Sequence, residues 1–268
     1  MRIFLLILFF SFQLVFAQNQ KSFLLVVHRG ANKVAPENTM SSLLKAYEQG
    51  ADMVEMDIRQ TKDGEFVLMH DARVNRTTNG RGKIKNLTLE EVRKLDAGSW
   101  FSSEYKGEKV PTLREILQAS KGKGLVDLDI KKAHIPSLIK LLKEEGYMDD
   151  SILVTLHSFN KKVIREVQQL APNIKVRPSY KYGFATYNFR EKTPPQIVNI
   201  IWPKFSEEYV DKLHSHKIEA FVNLLGSREN EANIKRAINS GAEYIQVNDP
   251  LNFLIIKKQL ETTNQIKR

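Results

Sequence analysis

Two carboxylates lie inside an apolar stretch near the start of the chain, where they could bind a metal ion. Glu55 and Asp57 alternate with Val54, Met56 and Ile58. Residues two apart in a β-strand point to the same face, so the two carboxylates should project together. Burying them side by side is costly unless a cation compensates, and a divalent metal ion is the simplest one. The alternative is a salt bridge to an inward-facing Arg or Lys.

Two further apolar runs end on residues that can do chemistry. Residues 23–27 lead into His28 and Arg29, and residues 66–69 lead into His70. An imidazole titrates near neutral pH, so it can take up or release a proton under ordinary conditions. A histidine at a strand end is more often a hydrogen-bonded structural residue. We keep that structural interpretation for the other histidines: His134, His157, His214 and His216.

Runs with strand character alternate with helical patterns along the chain, and this alternation predicts the fold. The predicted strands start near residues 23, 53, 124, 152, 174, 198, 218 and 243. Strands that alternate with helices favour βαβ units and parallel pairing. Eight such units in 268 residues predict an α/β fold, a (β/α)₈ TIM barrel. A doubly wound open sheet is the alternative, although no glycine-rich phosphate loop follows the first strand.

A barrel would bring chemically active residues together, because its active site forms at the carboxyl ends of its strands. The third predicted strand carries Asp129 and Lys131 at alternate positions. Asp127 points to the same side as Asp129 and is a further candidate carboxylate. Asn248 ends the eighth predicted strand. We expect these side chains to lie at the same mouth as the residues of the first two strands.

Two loop regions interrupt the alternation. After the first strand, Asn38 or Thr39 can cap a helix that runs to Gln49. Residues 71–110 change in character and hold one short amphipathic helix between polar turns. This segment is predicted to be a small insertion folded onto the barrel, after its second strand.

The N-terminus predicts export. Residues 3–16 are predominantly apolar and follow Arg2, and small residues, including Ala17, stand at the end of the stretch. This pattern is typical of a secretory signal peptide that is cleaved after Ala17, and the run is short for a spanning helix of roughly 20 residues. An uncleaved anchor is the alternative. We expect removal of residues 1–17, one barrel domain over residues 18–268, no stable membrane insertion, and a periplasmic or secreted location.

Composition narrows the possible partners. Cysteine is absent, which excludes disulfides, thiolate metal ligands and a cysteine nucleophile. There are 41 Lys and Arg against 31 Asp and Glu, a formal charge of +10, which becomes 40 − 31 = +9 once Arg2 is removed. The basic residues are scattered, so we expect a solvated basic surface and no nucleic-acid partner.

An ordered set of motifs resembles the glycerophosphodiester phosphodiesterases over nearly the whole chain after the signal. The motifs are His28-Arg29-Gly30, Pro36-Glu37-Asn38-Thr39, Glu55-x-Asp57, Thr61-Lys62-Asp63-Gly64, His70-Asp71, Arg76-Thr77-Thr78 and Val110-Pro111-Thr112-Leu113. The resemblance implies a metal-dependent (β/α)₈ barrel with a small insertion after the second barrel strand. It also implies a small-molecule substrate, a glycerophosphodiester, which is cleaved to an alcohol and glycerol 3-phosphate.

The resemblance also implies roles for matched positions in this sequence. His28 and His70 become the catalytic acid–base pair. Glu55 and Asp57 become metal ligands, and Arg29 becomes the phosphate contact.

The chain departs from the family pattern in two places. The usual third metal ligand is a Glu in a Glu-x-Lys motif, and here the matching residues are Asp129 and Lys131, an Asp being one methylene shorter. Lys131 would assist Arg29 in binding the substrate. The late Thr-Asp-x-Pro motif contains Asn248 in the position of its Asp, and this Asn could hydrogen-bond near the site. Oxygen ligands of this kind suit Ca²⁺ or Mg²⁺.

Two alternatives to this function stay open from the sequence. A related phospholipase acting on intact lipids would need an exposed apolar rim or a membrane-contacting helix. A non-catalytic relative of the barrel is suggested only by Asp129 and Asn248.

Overall fold

The structure is a computed structural model that describes residues 23–148, 154–158, 160–178, 194–200, 202 and 205–266. The predicted signal peptide, residues 1–17, lies outside the described residues. The strands are β1 (Leu24–His28), β2 (Met53–Gln60), β3 (Phe66–Leu68), β4 (Leu125–Lys132), β5 (Val154–Ser158), β6 (Lys175–Pro178), β7 (Ile197–Ile200), β8 (Glu219–Asn223) and β9 (Tyr244–Val247).

Helices follow most of these strands. The α-helices are α1 (Met40–Glu48), α2 (Leu89–Arg93), α3 (Leu113–Ser120), α4 (Ile135–Glu144), α5 (Lys161–Leu170), α6 (Glu207–Ser215), α7 (Glu231–Asn239) and α8 (Pro250–Thr262). Short 3₁₀ helices occur at Ile84–Asn86, Ser103–Tyr105 and Gly226–Arg228. None of the helices in the described ranges combines the length and the hydropathy needed to span a bilayer.

Eight parallel strands form a nearly closed barrel in the order β6-β5-β4-β2-β1-β9-β8-β7, and β3 pairs antiparallel with β2. The ends of the sheet meet where the side chain of Gln196, just before β7, accepts a hydrogen bond from the backbone N–H of Val176 in β6 at 3.2 Å. The predicted (β/α)₈ barrel is confirmed, and each predicted strand start lies within two residues of the observed one. The alternative prediction, an open, doubly wound sheet, is wrong.

The alternation predicted for β2 is also confirmed. Val54, Met56 and Ile58 are fully buried in the layer between the strands and the helices. Met53 instead packs inside the barrel, in a cluster that we call the apolar floor: Val26, Met53, Ile197, Phe221 and Tyr244. Three of these residues stand at the first positions of their strands. The floor therefore fills the amino-terminal end of the barrel, and the polar residues of the strands line the other end.

The loop before α1 is fixed by capping. The Thr39 hydroxyl accepts a hydrogen bond from the backbone N–H of Ser42, and the Ser42 hydroxyl accepts one from the backbone N–H of Thr39, which forms a capping box. Thr39 is thus the N-cap of α1. Asn38, the other predicted cap, has a φ of 58° and serves the site instead.

The predicted insertion lies between β3 and α3 and has an apolar cluster of its own. Its buried members are Val67, Met69, Val74, Ile84, Val92, Ala97 and Val110. Val67 of β3 and Thr112 at the start of α3 form an antiparallel bridge beneath the segment. The insertion is therefore anchored directly beside the end of β2.

Candidate active site

Three carboxylates on neighbouring strands converge inside the mouth of the barrel. Glu55 and Asp57 come from β2, and Asp129 comes from β4, where it is the register partner of Asp57. All three are at most 5% exposed, and one oxygen of each lies within 4.8 Å of the others. Burial and the adjacent Asp57 and Asp129 raise the pKa of Glu55 well above its usual range. The cluster therefore favours an added positive charge.

Two cationic side chains border these carboxylates. The Lys131 ammonium lies 2.6 Å from Oδ2 of Asp129 and 3.0 Å from Oδ1 of Asp57. Burial alone would lower the pKa of Lys131, but the two aspartates outweigh it and raise that pKa. Nε of Arg29 lies 3.2 Å from Oδ2 of Asp57. The inward-facing Arg and Lys of the salt-bridge alternative are thus present, yet they leave the carboxylates in excess.

Asp129 has a neighbour that sequence analysis missed. Nδ1 of His157, a buried residue of β5, lies 3.1 Å from Oδ2 of Asp129. Burial would raise the pKa of Asp129, but His157 and Lys131 hold it below its usual range. Oδ1 of Asp129 is buried and has no hydrogen-bond partner among the described residues. This buried oxygen of the cluster is thus available to a cation.

Asp127, the further candidate carboxylate, is used elsewhere. It is fully buried, accepts a hydrogen bond from the Thr155 hydroxyl and pairs with the guanidinium of Arg177. That guanidinium lies over the ring of Phe221, 3.7 Å from its centroid. Asp127 is therefore paired with Arg177 on β6 and is not among the three carboxylates that converge.

His28 is held at the end of β1 as a neutral imidazole. Its Nδ1 lies 3.1 Å from Oδ1 of Asn248, an oxygen that also accepts a hydrogen bond from Nδ2 of Asn32. Because this oxygen accepts, the neutral ring carries its proton on Nδ1. Its Nε2 lies 3.9 Å from Oε2 of Glu55. Burial and the charge of Arg29 lower the pKa of His28 to about 4. Asn248 thus hydrogen-bonds beside the site, as expected.

Arg29 and Gly30 turn the chain sharply after β1. Arg29 has a φ of 55°, and its backbone N–H donates to Oε2 of Glu55 at 3.0 Å. Gly30 has a φ of 74°, and a Cβ there would come within 2.7 Å of Ser42 atoms, so only glycine fits. The turn places the Arg29 side chain over the cluster, where Nη1 donates to Glu37 at 3.0 Å.

Asn38 orients Asp57 from the loop before α1. Its Nδ2 donates to Oδ2 of Asp57 at 2.8 Å, and its Oδ1 accepts from the backbone N–H of Asp57 at 2.9 Å. Asn38 is only 3% exposed, so both bonds lie inside the protein. Its place in the Pro-Glu-Asn-Thr motif was the signal that could have identified it.

His70 reaches the same mouth from the segment after β3. The backbone N–H of Met69 donates to the carbonyl of Asp57 at 2.9 Å, and the Arg59 guanidinium donates to the carbonyl of His70 at 2.6 Å and 3.0 Å. Nδ1 of His70 lies 2.7 Å from Oδ1 of Asp71. Direct contacts thus link six of the predicted site residues: His28, Arg29, Glu55, Asp57, Asp129 and Lys131. The seventh, His70, is fixed beside them through the backbone of Met69 and the side chain of Arg59.

The remaining histidines other than His157 lie in local hydrogen-bonding environments. Nδ1 of His134 contacts the hydroxyl of Ser137 at 2.9 Å, and Nε2 of His214 lies 3.0 Å from Glu243. Nδ1 of His216 lies 2.9 Å from the carbonyl of Lys212. These contacts agree with a structural interpretation.

Sequence comparisons identify relatives of the whole barrel. The model of the glycerophosphoryl diester phosphodiesterase family matches residues 28–251. A glycerophosphodiester phosphodiesterase of Caldanaerobacter subterraneus subsp. tengcongensis is 33% identical over 235 residues, which cover 85% of this chain and 94% of the relative. One of Bacillus subtilis is 31% identical over 256 residues, which cover 88% of this chain and 86% of the relative.

Solved structures agree with these relatives. An Oleispira antarctica phosphodiesterase, solved in complex with the product sn-glycerol-3-phosphate, has a TM-score of 0.79 and 26% identity, and the match covers 88% of this chain and 96% of that one. A glycerophosphodiester phosphodiesterase of Agrobacterium tumefaciens has a TM-score of 0.75 and 27% identity, with 87% and 99% covered. With its barrel, its motifs and these relatives, the chain belongs to the glycerophosphoryl diester phosphodiesterase family and is a phosphoric diester hydrolase.

Proposed function

We propose that this enzyme hydrolyses glycerophosphodiesters to an alcohol and sn-glycerol 3-phosphate with a divalent metal ion and two histidines. The observation that carries the proposal is the buried convergence of Glu55, Asp57 and Asp129 next to Lys131 and Arg29. The Oleispira antarctica phosphodiesterase was solved with sn-glycerol-3-phosphate as its product, and this supports the same substrate class here.

The carboxylate cluster fits a hard cation. Its donors are all carboxylate oxygens, which Ca²⁺ and Mg²⁺ prefer. Oδ1 of Asp129 is a buried oxygen without a hydrogen bond to the described residues, and the raised pKa of Glu55 indicates that positive charge is in short supply. Glu55, Asp57 and Asp129 would hold the ion. When bound, it would supply positive charge for the phosphoryl oxygens, on which charge develops during the displacement.

Arg29 and Lys131 are suited to bind the phosphodiester. Both cations border the carboxylates and are partly exposed, at 18% and 15%. A phosphate placed at the cluster would therefore contact a forked guanidinium and a point-like ammonium. These contacts strengthen as negative charge grows on the phosphoryl oxygens, which is the condition for accelerating the reaction.

We assign His28 as the general base and His70 as the general acid. The neutral His28 has its proton on Nδ1, so the lone pair on Nε2 can take a proton from the attacking hydroxyl. Asp71 contacts Nδ1 of His70 and would orient the ring so that its Nε2 proton can pass to the departing alcohol. The new bond forms between the attacking oxygen and phosphorus, and the bond from phosphorus to the alcohol oxygen breaks. With water as the nucleophile this step gives glycerol 3-phosphate directly; with the hydroxyl of the glycerol it gives a cyclic phosphate, which water then opens.

An assay of purified enzyme tests the proposal. We expect release of glycerol 3-phosphate from glycerophosphocholine, loss of this activity after chelation, and recovery with Ca²⁺ or Mg²⁺. His28→Ala and His70→Ala should each lower kcat by about 10²–10⁴-fold, while His216→Ala is the matched histidine control. Full activity in either site variant would refute the acid–base pair. Activity on micellar phospholipid, with none on glycerophosphocholine, would favour the phospholipase alternative.

We also propose that the protein is exported, to the periplasm or outside the cell, on the basis of the apolar stretch before Ala17. Mass spectrometry of the protein purified from its natural host should give a mature N-terminus at Gln18. An intact N-terminus at Met1 in the cytosolic fraction would contradict export.

A further inference from the structure

Arg76, in the insertion, has contacts that the proposed mechanism does not use. Its guanidinium lies between two carboxylates. Nε donates to Oδ2 of Asp71 at 2.7 Å, and Nη2 reaches Oδ1 at 3.3 Å. On the other side, Nη1 and Nη2 donate to the two oxygens of Glu37 at 2.9 Å and 2.8 Å. Arg76 therefore binds both carboxylates in a forked manner.

Each of these carboxylates in turn binds a residue of the proposed active site. Asp71 contacts Nδ1 of His70 at 2.7 Å, and Glu37 accepts from Nη1 of Arg29 at 3.0 Å. A continuous line of polar contacts therefore runs from the proposed general acid to the proposed phosphate-binding arginine. Arg76 stands at its centre, and its removal would leave two carboxylates facing each other.

We propose that Arg76 is a positioning residue that holds the His70 imidazole and the Arg29 guanidinium in their working orientations, through Asp71 and Glu37. This inference rests on the proposed roles of His70 and Arg29. The Arg76 guanidinium is a planar cation, and Asp71 and Glu37 bind it from opposite sides.

The backbone that carries Arg76 is rigid enough for such a task. Thr77 and Thr78 are at most 7% exposed, and the Thr78 hydroxyl donates to the carbonyl of Val74 at 2.7 Å. The Thr78 hydroxyl also accepts from the backbone N–H of Gly80 at 3.1 Å. The Arg-Thr-Thr motif thus combines an anchored turn with one outward-reaching guanidinium.

A purely stabilising role does not explain this arrangement. Arg76 is 44% exposed, and ion pairs at that exposure contribute little to the free energy of unfolding. Its effect on the neighbouring carboxylates is larger: hydrogen bonding from Arg76 is the main cause that keeps the pKa of Asp71 below its usual range. Asp71 therefore stays ionised beside His70. A lysine could keep the charge, but it could not grip both carboxylates with a fork.

The experiment compares Arg76→Gln and Arg76→Lys with wild type, and uses Arg81→Gln as the matched control. Arg81 is exposed in the same segment and makes no hydrogen bond or ion pair with the described part of the chain. We expect kcat/KM for glycerophosphocholine to fall about 10- to 100-fold in both Arg76 variants, because misplaced groups lose rate steeply. KM should rise because Arg29 would be misplaced for binding the phosphate, and kcat should fall because His70 would be misplaced for proton transfer. Arg81→Gln should match wild type.

Double variants test the route of the effect. If Arg76 acts through Asp71, Arg76→Gln added to Asp71→Asn should lower kcat by less than the product of the two single effects. The same non-additivity in KM is expected for Arg76→Gln with Glu37→Gln. Fully multiplicative losses in both pairs would overturn the proposal.

A second readout does not need turnover. In nitrogen-15 spectra of the folded protein at alkaline pH, where imidazole rings are neutral, His70 should show a single tautomer with its proton on Nδ1, and Arg76→Gln should mix the two tautomers. An inactive wild type that shows this change would refute the proposed function and still support Arg76 as the residue that orients His70. Unchanged His70 signals in the variant, or a wild-type kcat/KM in Arg76→Lys, would overturn the inference. If Arg76→Gln fails to fold, the same spectra are recorded on Arg76→Lys.

Discussion

Nδ1 of His157, on β5, lies 3.1 Å from Oδ2 of Asp129, its register partner on β4. Lys131 lies 2.6 Å from the same oxygen. Oδ2 is therefore engaged by protein groups, whereas Oδ1 has no hydrogen-bond partner among the described residues and is the oxygen that could bind the proposed cation. This division of one carboxylate between protein and metal gives a specific expectation for His157.

His157→Ala should weaken the binding of Ca²⁺ to the metal-free protein by about 10- to 100-fold, because groups that orient a ligand from behind are worth that much. Isothermal calorimetry on the chelator-treated protein measures this affinity directly. His157→Gln, which can keep one contact to Asp129, should lose less. Equal affinities for wild type and His157→Ala would show that Asp129 is oriented without it.

Glu55→Gln should have opposite effects on the metal-free and the metal-bound protein. The carboxylate has a raised pKa because of burial and of Asp57 and Asp129, so its ionised form destabilises the metal-free fold. The amide should stabilise that fold by about 1 kcal/mol, which raises Tm by roughly 2–4 °C. It should also abolish most of the Tm gain on adding Ca²⁺. Thermal unfolding with and without metal measures both effects.

The same raised pKa sets the sign of the pH dependence. Since the folded state holds the Glu55 proton more tightly than the unfolded state, this contribution to stability is complete below the ordinary value of 4.5. It is lost as pH rises through the folded-state pKa. Metal-free wild type should therefore lose stability on alkalinisation in that window, whereas Glu55→Gln should lose less. A parallel pH profile for both proteins would contradict this.

Asn248→Asp should move the acid limb of the kcat/KM profile to higher pH. In wild type, burial and Arg29 lower the pKa of His28 to about 4, so this proposed base is neutral over most of the acidic range. A carboxylate about 3 Å from Nδ1 favours the imidazolium and should raise this pKa by about 1–3 units. Protonated His28 cannot accept a proton, so activity must fall at the acid end. A profile measured between about pH 4 and pH 8 shows the shift.

Arg177→Met should destabilise the fold by about 3–5 kcal/mol, because it leaves Asp127 buried and unpaired. Urea unfolding measures the change. Adding Asp127→Asn to this variant should recover part of the loss, since the amide carries no charge. Equal stabilities of the single and the double variant would contradict an unpaired Asp127 charge as the cause of the loss.

Much of this site follows from local sequence periodicity. Glu55 and Asp57 alternate with apolar residues in a strand, so a shared face could be predicted without knowledge of any neighbour. The eight strand starts follow in the same way, because each apolar run is bounded by polar turns. Thr39 as a cap depended only on its own helix.

Partners set by strand register could not be predicted from sequence. Asp127 and Asp129 share a face, and only the pairing of β4, β5 and β6 decides that Arg177 serves the first while His157 serves the second. The sequence around a single histidine in an apolar strand does not indicate which residue of the neighbouring strand it will contact. The role of Asn38 could not be predicted for another reason: with a φ of 58°, its side chain binds Asp57 and does not cap the helix.

The apolar floor, which includes Met53 and Phe221, closes the amino-terminal end of the barrel, so substrate and products must pass through the opposite end. Diester, water, alcohol and phosphorylated glycerol must share that opening. The phosphorylated product keeps the group that Arg29 and Lys131 would attract, so it should compete with the next diester for the same site.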